Sequence, residues 1–133
     1  MNIHQKKIDE DVISKKLDAS VFNEVSMFLL PTFINRSSTK VLKKVKDNVD
    51  HKILDLVDDM LYALENKDVN SFLSLISDGW LIKKNSSPAI LGNKKLQDLD
   101  TFIESCEDIL AHRLIGAGNG GYFLLITKKD LNI

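Results

Sequence analysis

The chain has 133 residues, 44% of them hydrophobic and 28% charged, with a formal net charge of -1. One domain can therefore bury a core of its own, and no global basic field exists to hold nucleic acid. A single cysteine, Cys106, excludes an internal disulfide; no Cys/His cluster suggests zinc, residues 1 to 20 hold no apolar leader core, and no run approaches a membrane span, so a soluble cytoplasmic protein is expected.

Residues 1–20 read as a polar lead-in, with Ile8, Val12, Ile13 and Leu17 spaced for a short helix from about Asp9 to Ala19; residues 21–133 form the domain. Met27-Phe28-Leu29-Leu30 is a short continuous apolar run that suits a strand, and Pro31, which cannot donate to a ladder, places that end at an edge or an exit. Asn35 to Thr39 is a loop feeding a helix, with Ser37 or Ser38 available as cap. Thr39 to about Lys46 is a short helix whose Lys40, Lys43, Lys44 and Lys46, set among nearby aspartates, read as a solvated face.

Ile53, Leu54, Val57, Leu61 and Leu64 recur at three- and four-residue steps and predict a helix packed on a sheet. Asp68 can cap the next helix, whose apolar face is Val69, Phe72, Leu73, Ile76 and Trp80 and which runs to about Asn85 before Ser87-Pro88. Trp80 reads as a core seal. Lys83 and Lys84 are about 100° apart on that helix, so at most one of them points squarely at a given ligand. A last helix opens at Leu91-Gly92-Asn93 and carries Leu96, Leu99, Phe102, Ile103, Cys106, Ile109 and Leu110 on one side, with His112 at its end. Cys106 falls within that stripe and reads as a small core residue.

Four of the six glycines lie within Gly116-Ala117-Gly118-Asn119-Gly120-Gly121, between a short apolar run and the strand-like Tyr122-Phe123-Leu124-Leu125-Ile126-Thr127. Gly116, Gly118 and Gly121 satisfy G-x-G-x-x-G, but a strand follows where a dinucleotide fingerprint requires a helix. A hairpin turned at Asn119-Gly120 explains one or two glycines, not four. A segment this bare either turns sharply or lets another group approach the main chain.

Leu114-Ile115-Gly116-Ala117-Gly118-Asn119-Gly120-Gly121-Tyr122-Phe123-Leu124-Leu125-Ile126 resembles the C-terminal glycine motif of the GHMP small-molecule kinases. Two further segments, Phe28 to Ser38 and Asp78-Gly79-Trp80-Leu81-Ile82-Lys83-Lys84, resemble the branch of D-glycero-D-manno-heptose 7-phosphate kinases and occur in that branch's order. The resemblance spans roughly residues 22 to 127. It departs at Asn119, where the family usually has another glycine, and at Arg113, where it has lysine.

The resemblance implies an α+β fold of GHMP C-terminal type: a small antiparallel, ferredoxin-like and incomplete sheet, with strands near 25–31, 112–116 and 121–127, covered on one face by three or four helices. It implies a loop beside the nucleotide phosphates (Gly116, Ala117, Gly118, Asn119, Gly120, Gly121) and makes Arg36, Lys83, Lys84 and Arg113 candidate contacts for a sugar phosphate. Arg36 is equally readable as a solvated residue beside a helix start, and the two lysines as solvated groups at a helix C-terminus.

The family's Pro-x-x-x-Gly-Leu-Gly-Ser-Ser-Ala phosphate loop and its usual catalytic aspartate are not found here, so no catalytic residue and no metal ligand is assigned. ATP and Mg2+ are expected only in a complete kinase, and none for this chain alone. The sheet is expected to lack a family strand, leaving an edge that invites either a partner chain carrying the N-terminal kinase domain or a second copy. The competing expectation is a non-catalytic protein-interaction or small-molecule-binding module on the same scaffold.

Overall fold

The computed structural model describes residue 16 and residues 19–34, 52–116 and 118–129, without the side chains of 52–54. The expected lead-in helix, the Ser37 or Ser38 cap, the lysine-rich helix and Arg36 lie outside these residues. The fold is α+β. A short 3-10 turn, Ser20–Glu24, leads into strand β1 (Val25–Pro31); helices α1 (Lys52–Glu65), α2 (Val69–Ser86) and α3 (Lys94–Glu104) follow, then strands β2 (Ile109–Leu114) and β3 (Tyr122–Lys128). No helix is long and apolar enough to cross a membrane.

The three strands form one antiparallel sheet in the order β1-β3-β2. β3 is central because its near-continuous apolar run can be buried on both faces, as alternate residues show. Phe123 and Leu125 join Trp80, Ile90, Leu96, Ile103 and Leu114 in one core cluster; Ile126, with Leu124 packed against it, joins Val21, Val25, Phe72 and Ala111 in the other. α2 serves both clusters, sending Phe72 to one and Trp80 to the other as it packs along β2.

Two expectations are corrected. The last helix ends at Glu104, and Ile109, Leu110 and His112 belong to β2. The three- and four-residue spacing of Ile109 and Leu110 continues the stripe of α3 by coincidence; a bulge between Ile109 and Ala111 puts Leu110 with the second cluster while Ile109 packs against the first. α1 packs chiefly on α2 rather than on the sheet. Its inward residues are Met60, Ala63 and Leu64, while Val57 is 60% exposed.

The predicted Asp68 cap forms, its carboxylate accepting from the Ser71 amide at 3.2 Å; α3 is capped in the same way by Asn93, whose Oδ1 accepts from the Leu96 amide at 3.0 Å. Ser87, extended ahead of Pro88, ends α2.

Candidate functional site

The β2–β3 connection is built from left-handed backbone. Gly116, Gly118, Gly120 and Gly121 have φ of 89°, 101°, 146° and 90°, and Asn119 between them has 57°. Asparagine is among the few side chains that tolerate this region. Ala117 lies outside the described residues. At Gly118 the requirement is double, since a Cβ there would lie 3.0 Å from the Ile90 Cα as well as straining the backbone.

The loop is seated from two sides. On one, the Asn119 amide donates to the Ile90 carbonyl at 2.7 Å, and Gly92 makes room for the Asn119 side chain, whose Oδ1 a Cβ at 92 would approach to 2.7 Å. On the other, buried Thr32 donates to the Gly121 carbonyl through both its amide and its hydroxyl, each at 2.8 Å. Phe33, next to Thr32, stands at φ 59° and is 85% exposed, an unusual conformation for a bulky residue. No sequence pattern flagged it.

The two adjacent lysines part, as their angular separation requires. Lys83 donates its ammonium to the Gly116 carbonyl, bringing one predicted side chain to the predicted loop. Lys84 turns instead to Asp100 at 2.9 Å and Glu104 at 2.7 Å. Arg113 sits in β2 opposite Leu124, partly buried, and burial pushes its guanidinium below its ordinary value. Among the described residues, no carboxylate or other acceptor is within bonding reach of that guanidinium.

A second polar group was not foreseen. Buried Asp100 receives the Trp80 Nε1–H at 2.8 Å, the Lys84 ammonium at 2.9 Å and His112 Nε2 at 2.7 Å, which must carry the proton toward a carboxylate. Burial opposes the charged form of Asp100, but the bonds from His112, Lys84 and Trp80 outweigh it and hold the carboxyl down at about 2. Burial likewise opposes charge on Lys84; its bonds to Glu104 and Asp100 reverse that and raise its value.

His112, Trp80, Lys84 and Glu104 border a half-open cleft of about 330 Å³. Ligand atoms of Asp100, Glu104 and His112 come within 4.8 Å of one another, but the Lys84 ammonium is already bonded to both carboxylates and offsets one of their two charges from within. Among the described residues, no hydroxyl or thiol bonds to His112. The group's signal in the sequence was a carboxylate, Asp100, set between Leu96 and Ile103 in a buried helical stripe, where an unpaired charge is too costly to stand alone.

A comparison with protein-family models finds no match, and a comparison with curated proteins finds none.

Proposed function

We propose that this chain is the C-terminal domain of a GHMP-type sugar kinase, nearest in kind to the heptose 7-phosphate kinases. In this reading the β2–β3 loop and Lys83 shape the phosphate end of a nucleotide and sugar-phosphate site. The phosphate loop and the catalytic aspartate, absent from these 133 residues, come from other sequence. The observation that carries the reading is the convergence of a bare, left-handed main-chain segment with a lysine delivered onto it from the last turn of α2. Four glycines at positive φ exceed what a hairpin needs, and the bare, exposed main chain at Gly116, beside Lys83, admits close approach of an anion.

Phosphoryl transfer is dominated by positioning and by neutralising charge on the transferred group. The part assigned to this chain is of that kind: Lys83 supplies a cation at the loop, and Thr32 and Ile90 hold the loop's shape. No proton transfer is assigned to it, and alone it turns over no ATP. Calorimetric titration with Mg2+-ATP and with sugar phosphates tests the reading. Heat with at least one of them, lost on Lys83→Ala, is expected; no heat with any contradicts a retained site.

A further inference from the structure

The two faces of the sheet are covered unequally. On the face shared by Ala111, Leu124 and Ile126, side chains of α1 and α2 cover the end near Ala111 and Ile126. Toward the glycine loop that cover stops. Met27 and Leu29 of β1, Tyr122 of β3 and Ile115 just beyond β2 are 43%, 60%, 51% and 41% exposed, and alternation and register put them all on this face. Arg113 lies in the same row as Leu29 and Leu124, across the sheet from β1.

A partly buried guanidinium with no acceptor among the described residues, on one sheet face with exposed Leu29, Met27, Ile115 and Tyr122, has the composition of an interface centre rather than of a solvated surface. We propose that this half-face of the sheet docks a protein segment that places an Asp or Glu carboxylate on Arg113 and apolar side chains on Leu29, Met27 and Tyr122. Charge selects this occupant over a second copy. The strand residues of this face include Arg113 and Lys128 and no Asp or Glu, so two copies face to face supply no counter-charge. The proposal stands whether or not the chain belongs to a kinase, and it gives Arg113 a protein partner in place of a sugar phosphate.

Panning a phage-displayed random peptide library against the full chain tests it. Enriched peptides are expected to carry an acidic residue flanked by apolar ones. A synthetic peptide of that sequence should lose at least about thirtyfold in affinity on Arg113→Gln, the lower end for removing one partner of a desolvated charge pair. It should also be lost on Leu29→Glu and be unaffected by Lys95→Gln at an exposed position of α3, with all three variants keeping the parent's far-ultraviolet dichroism. Enriched peptides without an acidic residue, or affinity indifferent to Arg113→Gln, overturn the proposal. So does displacement of the peptide by inorganic phosphate, which assigns Arg113 to a small anion, or a dimer in sedimentation that Leu29→Glu breaks, which assigns the face to a second copy.

Discussion

Single residues decide the two polar sites. At Gly118, positive φ and a Cβ position 3.0 Å from Ile90 act together, so Gly118→Val should cost about 3 kcal/mol or more, from backbone strain plus overpacking. Asn119→Gly should melt within about 1 kcal/mol of the parent. It relieves a non-glycine residue of left-handed geometry and removes Oδ1, which is buried without a hydrogen-bond partner. Thermal denaturation checks both; variants that melt together with the parent contradict this view of the turn.

Asp100 gives a pH prediction with a definite sign. Its carboxyl titrates near 2 when folded, against an ordinary 3.8, so the folded state binds fewer protons between those values. The stabilisation is fully present above about pH 4 and is lost as pH falls toward 2, worth about 2 kcal/mol. Fluorescence of Trp80, the chain's only tryptophan and itself bonded to Asp100, should report the loss during urea melts at pH 5 and pH 3. Asp100→Asn should flatten that difference.

Among the elements, legibility followed how far apolar spacing was unambiguous. The face of α2 was readable throughout because Val69, Phe72, Leu73, Ile76 and Trp80 are all claimed by the two clusters. β1 and β3 were readable from runs of strand-forming residues between punctuating Pro31 and the glycines. The boundary between α3 and β2 was not, because a bulged strand following a helix can continue a three- and four-residue spacing by accident, and only pairing with β3 separates them.

The start of α3 is capped by the Asn93 side chain, which takes up the Leu96 amide. Asn93→Ala should therefore destabilise the chain by about 1 kcal/mol in a urea melt, with Asn93→Ser recovering most of it.

At the scale of the molecule, the sheet divides the chain into two cores, and α2 links them along β2. That placement carries the last turn of α2 to the glycine loop, which is why Lys83 meets Gly116 while Lys84, about 100° around the helix, meets Asp100. The sequence showed the loop and both lysines but not their division of labour. Angular position separates the lysines, yet which one faces the loop depends on how α2 is rotated against β2, and that is set by Trp80 and Phe72 in the cores. The uncovered half-face was equally hidden, since exposed Leu29 and half-buried Leu124 look alike in an apolar strand.

The most direct measurement of the central claim follows the amide resonances of Gly116, Gly118, Gly120 and Gly121 in 15N-labelled chain during titration with Mg2+-ATP and, separately, with a sugar phosphate. Saturable shifts of these glycines, abolished by Lys83→Ala in a variant that stays folded, are the expected result. Resonances that hold still through millimolar additions of every ligand, in a chain whose other amides show it to be folded, would contradict a phosphate-facing loop.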